Sequence, residues 1–327
     1  MLGRLLARSP IDGFVLSILA AVVVAALFPA EGAFASFLDK LVIAAIALLF
    51  FLYGTRLSPK EALEGLTHWR LHLTILAFTF VLFPIIGVLL APALKPLLGD
   101  DLSSGLLYLT LVPSTVQSSI AFTSIARGNV PGAIVSASVS NLLGVVITPL
   151  LVVWLMSTDS GVHVNAESIT KILLQILLPF VVGQLVRPWV GPFLSRYAEP
   201  TKYVDRGSIV LVVYVAFSEG VREGLWSHVD AWQIIIVLTV AILLVIGMLA
   251  LTGWLPKKMG FDRADTIAIQ FCGTKKSLAT GLPMATVLFA GPAAAAIVVP
   301  LMIFHQVQLI ICSWLAGRYA KDAPDPA

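Results

Sequence analysis

Charge is what this 327-residue sequence has least of. Only 12% of its residues are Asp, Glu, Lys or Arg, about half the share in a soluble domain. With 58% hydrophobic residues and a mean hydropathy of +0.97, a soluble globular domain is excluded. Cysteine is nearly absent. Cys272 and Cys312 both fall inside apolar runs, which excludes a disulfide framework and leaves them as small buried hydrophobes. No cysteine or histidine spacing of a metal site occurs. The net charge of +3 says nothing for nucleic acid, so none is expected as a partner. Hydrolase chemistry finds no support either. Lys276 and Ser277 are adjacent, about 100° apart on a helix, and make a poor base–nucleophile pair, so no enzymatic activity and no organic cofactor are expected.

What is present is a series of apolar segments, each long enough to approach or span a bilayer. Ten are expected: Ile11–Pro29, Phe37–Gly54, Leu71–Ala91, Leu102–Ala126 and Val130–Met156, then Ile169–Val190, Gly207–Val221, Ala231–Leu255, Ala264–Ala290 and Pro292–Leu315. The sequence is therefore read as an all-α polytopic membrane protein. Residues 1–156 hold the first five helices, 157–168 a polar inter-repeat loop, 169–320 the second five, and 321–327 a disordered tail. Arg4, Arg8 and the apolar run after them resemble a cleavable signal peptide, but an uncleaved first span fits the count of ten better. Fifteen of the 21 lysines and arginines fall in the segments on the side of the termini. Only Lys40, Lys95, Lys171 and Arg222 fall on the other. That asymmetry places both termini in the cytoplasm of a multi-pass inner (plasma) membrane protein.

The two lysines left over, Lys275 and Lys276, sit in the middle of the ninth segment. Each costs about 2.5–3.5 kcal/mol there before relief by partners or water. Neither can reach an interface from mid-span, so at least one is expected in a functional site. The ninth segment carries helix breakers at Cys272, Gly273 and Thr274, and the fourth carries them at Val112, Pro113, Ser114 and Thr115. Each of these segments joins the next through a Pro/Gly pair, at an offset of about 160 residues. Two five-helix halves of opposite orientation with interrupted helices at matching positions point to a transporter's binding site. A broken helix leaves carbonyls and amides unpaired, tolerable in a membrane only beside a cavity or a ligand. Ser114 or Thr115 is expected to cap the resumed fourth helix and Thr274 the resumed ninth. The polar residues grouped around the breaks are Thr79, Gln117, Ser118, Ser119, Ser138, Asn141, Gln270, Ser277 and His305. For any single hydroxyl the plain alternative is packing or a bond back to its own helix. For His305 the alternative is an interhelical bridge.

Pro113-Ser-Thr-Val-Gln-Ser-Ser119, Ala126-Arg-Gly-Asn-Val130 and Gln270-Phe-Cys-Gly-Thr-Lys-Lys-Ser-Leu-Ala-Thr-Gly-Leu-Pro-Met-Ala285 resemble the bile acid:sodium symporter superfamily. Within it they are most similar to the YfeH-type branch, related to the seventh member of solute carrier family 10. The resemblance implies two inverted repeats, a panel domain from spans 1, 2, 6 and 7, and a core domain from spans 3–5 and 8–10, with the fourth and ninth helices crossing at their breaks. It also implies alternating-access transport of an organic, anionic solute. Relatives with two sodium sites place a carboxylate at the ninth-span break; here Ser118, Ser119, Gln270 and Thr274 stand at the corresponding positions, a degenerate sodium site without an acid. Hard cations are held by oxygens, usually with a carboxylate to balance the charge. Lys275 or Lys276 is therefore expected as a built-in cation, its ammonium received by carbonyls of the first half of the ninth span, with the other lysine facing the anionic substrate. Sodium or a proton remains as coupling ion. The alternative function is a regulatory membrane protein of calcium or ion homeostasis without solute transport.

Overall fold

The computed structural model describes residues 13–56, 68–156, 173–222, 224, 229–289 and 293–322. Arg4, Arg8, the inter-repeat loop 157–168 and the tail residues 323–327 lie outside the described residues. Every regular element among those described is helical: α1 (Gly13–Leu27), α2 (Gly32–Arg56), α3 (Trp69–Ala77), α4 (Phe83–Leu111), α5 (Gln117–Ile125), α6 (Val130–Met156), α7 (Leu178–Arg196), α8 (Ala198–Arg222), α9 (Ala231–Lys258), α10 (Arg263–Thr274), α11 (Leu278–Leu288) and α12 (Ala293–Lys321). Single π turns, Phe78–Leu82 and Leu173–Leu177, lead into α4 and α7.

By length and composition, six helical stretches can cross a membrane, which makes the chain a multi-pass membrane protein. One of them, Trp69–Leu111, has 43 residues. At 1.5 Å per residue it would be about twice as long as the hydrocarbon core is thick. It is two spans. Gly99 leaves the helix at φ 75°, with Pro92 and Pro96 just before it, and a Cβ on Gly87 would meet Thr110, 23 residues further on. The chain has doubled back at Gly99.

The chain divides into two compact units. The first comprises Met1–Leu57, Val153–Asp230 and Leu282–Val298, and is built mainly from α1, α2, α7 and α8. Within it α2 and α7 touch backbone to backbone. A Cβ on Gly54 would fall on the carbonyl oxygen of Phe180, and one on Gly183 on that of Phe51. Small residues allow this approach in membrane helices, where packing rather than the hydrophobic effect drives association. Gly183→Val should therefore lower stability by about 1–3 kcal/mol, as overpacking does, read as a drop in the thermal unfolding midpoint of the purified protein.

The second unit comprises Ser58–Val152, Ala231–Gly281 and Val299–Ala327, and contains both helix interruptions. In the fourth expected span α4 ends at Leu111, Val112 is extended (φ −76°, ψ 155°), and α5 resumes at Gln117. Neither Ser114 nor Thr115 caps α5: the capping position is Val116, without a side-chain bond. Both hydroxyls are engaged elsewhere. In the ninth, α10 is capped by Asp262, whose side chain accepts from the Asp265 amide, and runs from Arg263 through Gly273 to Thr274. The break therefore lies at Lys275–Ser277, about three residues beyond the expected Cys272–Thr274. Gly273 does not break the helix; it lets Phe78 approach, since a Cβ there would sit 3.3 Å from the Phe78 Cβ. Nor does Thr274 cap α11. Ser277 does, its Oγ accepting from the Thr280 amide at 3.2 Å.

Candidate functional site

The five carbonyls of the fourth-span break, residues 110 to 114, are all taken by groups from elsewhere in the second unit. Thr110 O and Val112 O accept from the Lys276 ammonium at 2.7 and 2.9 Å. Leu111 O accepts from Thr148 Oγ1 at 2.8 Å, Pro113 O from the Ser277 amide at 2.8 Å, and Ser114 O from Asn141 Nδ2 at 2.6 Å. Buried backbone acceptors need partners, and here the second break supplies three of the five bonds. The relation is mutual. Ser114 Oγ donates to Cys272 O at 2.5 Å and Ser119 Oγ to Phe271 O at 3.2 Å.

The third bond of Lys276 has a local cause in the third span. In the π turn the Phe83 amide bonds Phe78 O instead of Thr79 O. The next donor in that register belongs to position 84, a proline without an N–H. Thr79 O is thus left free, and Lys276 Nζ donates to it at 2.9 Å. The Thr79 hydroxyl itself turns back to Ile75 O. Three carbonyls from two spans therefore surround one ammonium, with the Phe83 ring 4.3 Å away. Three charge-assisted bonds at about 1.5–3 kcal/mol each are enough to offset a desolvation cost of several kcal/mol. The expectation that carbonyls of the ninth span would receive the lysine is corrected: they belong to the third and fourth spans, because the Lys276 side chain crosses to the facing break.

Gln308 on α12 fixes the peptide of Lys276. Its Oε1 accepts from the Lys276 amide and its Nε2 donates to the Lys276 carbonyl, both at 2.8 Å, and His305 Nδ1 lies 2.8 Å from Gln308 Nε2. Gln308→Leu should cost about 2–3 kcal/mol through two lost bonds in the interior, read from chemical or thermal unfolding.

Lys275 is equally buried but differently surrounded. Its Nζ has no hydrogen-bond partner among the described residues. It lies 3.7 Å from the centre of the Phe122 ring and 5.7 Å from that of Phe271. Stacking on two aromatic faces stabilises a desolvated ammonium by about 2 kcal/mol, less than the cost of its isolation. The last carboxylate on α10 is Asp265, ten residues or about 15 Å earlier, and it bonds Asn129 instead.

The structure joins several of the expected residues into one network. Ser277 Oγ donates to Thr280 Oγ1, which donates to Asn141 Oδ1 at 2.7 Å. Thr115 Oγ1 lies 2.7 Å from Ser118 Oγ and 3.0 Å from Ser119 Oγ. Other residues face away. Gln270 Nε2 donates to Leu249 O on α9 at 2.7 Å and Thr274 Oγ1 meets Thr252 Oγ1 at 2.9 Å. Gln117 is exposed and Ser138 half-buried, and among the described residues neither bonds a side chain to the breaks. On α6 the hydroxyls that reach the break are those of Thr148, already described, and Ser140, which accepts from the Ser114 amide at 3.1 Å. Sequence reasoning did not single out Phe83, Phe122 or Phe271 as site residues. The aromatic rings carry no polar signal at all.

Two interrupted helices bonded to each other, with two buried lysines at the junction, in a multi-pass membrane protein, define a membrane transporter. Residues 12–321 match the SBF-like CPA transporter family, and the chain belongs to it. An uncharacterized protein of Pseudomonas aeruginosa is 49% identical over 317 residues, 97% of this chain and 95% of the relative. YfeH of Escherichia coli K12, whose name proposes a symporter, is 47% identical over 313 residues, 95% and 94% of the two chains. The mouse protein named sodium/bile acid cotransporter 7 is 30% identical over 330 residues, 96% of each. The family and its named members are transporters, not enzymes, and their substrates are small molecules.

Proposed function

We propose that this protein is a secondary-active transporter that moves an organic anion by alternating access, with the Lys276 ammonium built in where sodium-dependent relatives hold an ion. The observation that carries this reading is the enclosure of Lys276 Nζ by the carbonyls of Thr79, Thr110 and Val112. Three oxygens around a buried charge are the ligand set a hard cation uses. Lys275, without a hydrogen-bond acceptor of its own among the described residues, is the charge left to meet an anionic group of the solute. Transport is then independent of sodium, with a proton as the coupling ion where coupling occurs.

The reading includes ten spans in two inverted five-helix repeats, which the matching ends of the two interrupted helices support. Leu111, Val112, Pro113 and Ser114 end one half-helix as Thr274, Lys275, Lys276 and Ser277 end the other, and Val112 and Lys275 are both extended. The grouping of α1, α2, α7 and α8 in one unit and of α3, α4, α5, α9 and α10 in the other supports a panel and a core domain, whereas Leu282–Val298, the second half of the ninth span and the start of the tenth, groups with the first unit and not with the core. The excess of lysine and arginine on one side supports both termini in the cytoplasm of the inner membrane.

The test is uptake into proteoliposomes of a panel of labelled anions (taurocholate, a sulfated steroid, an aromatic carboxylate), with sodium or choline as the only cation. Equal uptake in both salts supports the reading. Uptake that strictly requires sodium overturns the lysine substitution, and no uptake of any panel anion removes the organic-anion assignment.

A further inference from the structure

Away from the breaks, a cavity of about 380 Å³ opens where α9 ends and α10 begins. Lys257 comes from the last turn of α9, Asp262 and Arg263 from the start of α10, Phe261 from the turn between them, and Tyr319 from α12. Thr266, one turn into α10, lines it too. Thr266 is only 3% exposed, yet its hydroxyl has no hydrogen-bond partner among the described residues. Thr123 is the other buried threonine of this unit without one among the described residues. Thr74, Thr79 and Thr252 all donate to the carbonyl four residues earlier, and Thr266 does not use that option.

The walls are held. Gly260 turns the chain at φ +83°, and Arg70 fixes that turn by donating to Met259 O at 2.9 Å and stacking 5.3 Å from the Phe261 ring. Arg263 uses one nitrogen on Tyr319 O at 2.9 Å, which leaves guanidinium donors beside the cavity. Among the described residues that line the cavity the one carboxylate is that of Asp262, which already accepts from the Asp265 amide at 2.7 Å. The positive end of the 12-residue α10 adds to the cationic side. The level in the membrane is marked by Trp254 and Trp314, exposed by 57% and 65% and close in sequence to Lys257 and Tyr319. Exposed tryptophans of this kind sit at headgroup depth.

We propose that this cavity binds a phosphate group, presented by an anionic lipid at the membrane surface or by a soluble phosphate. Two cations, a helix start and an unused buried hydroxyl are the donors such a group takes, and basic pockets between membrane helices recognise lipid headgroups in this way. The site bears on the breaks through packing. The Tyr319 ring is 6.4 Å from that of Phe271, which in turn lies 5.7 Å from Lys275 Nζ. The proposal does not depend on what the protein transports.

The experiment uses the full chain, purified in detergent and stripped of lipid. Thermal unfolding and native mass spectrometry follow titration with phosphatidylglycerol against phosphatidylcholine, and separately with inorganic phosphate against chloride at matched ionic strength. Saturable stabilisation by phosphatidylglycerol alone assigns the site to a lipid headgroup; stabilisation by inorganic phosphate assigns it to a soluble ligand. Lys257→Gln and Arg263→Gln should each weaken the apparent affinity about tenfold or more, the scale of one charge-assisted bond. Thr266→Val, which removes only a hydroxyl, should weaken it about three- to tenfold and leave the unliganded midpoint in place. No saturable effect of either ligand, or the same effect in wild type and both charge variants, overturns the proposal.

Discussion

Lys276→Met should abolish transport and lower the unfolding midpoint on the order of 5 °C or more. The side chain is fully buried, and its removal leaves the carbonyls of Thr79, Thr110 and Val112 without a donor. Each stranded acceptor costs about 1–3 kcal/mol, so the sum is about 3 kcal/mol or more even after partial relaxation. Two of the three stranded oxygens belong to the fourth-span break, which ties the loss of stability to the loss of function. Lys276→Arg should not rescue either property. A planar guanidinium fork cannot replace a compact ammonium among three converging oxygens. Midpoints of the purified variants, measured beside uptake in proteoliposomes, check both parts.

Lys275→Met should do the opposite to stability. The ammonium of Lys275 is as buried as its neighbour's, but among the described residues it is met by two rings and no acceptor. Methionine keeps most of the volume, makes favourable contacts with aromatic rings and removes the cost of a poorly compensated charge. The midpoint should rise, by the equivalent of about 1–3 kcal/mol. Uptake of any anion carried by the wild type should nevertheless be lost. A residue whose removal stabilises the fold and destroys activity is one kept for function. Two adjacent lysines with stability effects of opposite sign is an outcome that a purely structural role for both would not give.

The two breaks were legible in the sequence because prolines, hydroxyls and lysines are conspicuous in apolar segments, and because they recur at a matched offset. The membrane class was legible from composition alone. The partners of Lys276 were not. Thr79 O is available because position 84 is proline, which the sequence shows, and because a π turn diverts the Phe83 amide, a backbone event with no signature in residue type. The position of the ninth-span break was misplaced by three residues for a related reason. Gly273 looks like a breaker, but it serves the close approach of Phe78, and tertiary packing decided its conformation. Phe122 and Phe271, which form the surroundings of Lys275, look like any other apolar residue of a membrane helix. The cavity at the head of α10 combines side chains from two ends of the unit, so only the fold could bring Tyr319 to Arg263.

The central claim is that the Lys276 ammonium occupies the place of a coupling cation, and it can be tested without knowing the substrate. Thermal unfolding of the purified wild type should give the same midpoint in sodium chloride and in choline chloride at equal ionic strength. Lys276→Ala, which vacates the enclosure formed by Thr79, Thr110 and Val112, should become stabilised by sodium in a saturable way. Saturable stabilisation of the wild type by sodium would contradict the account.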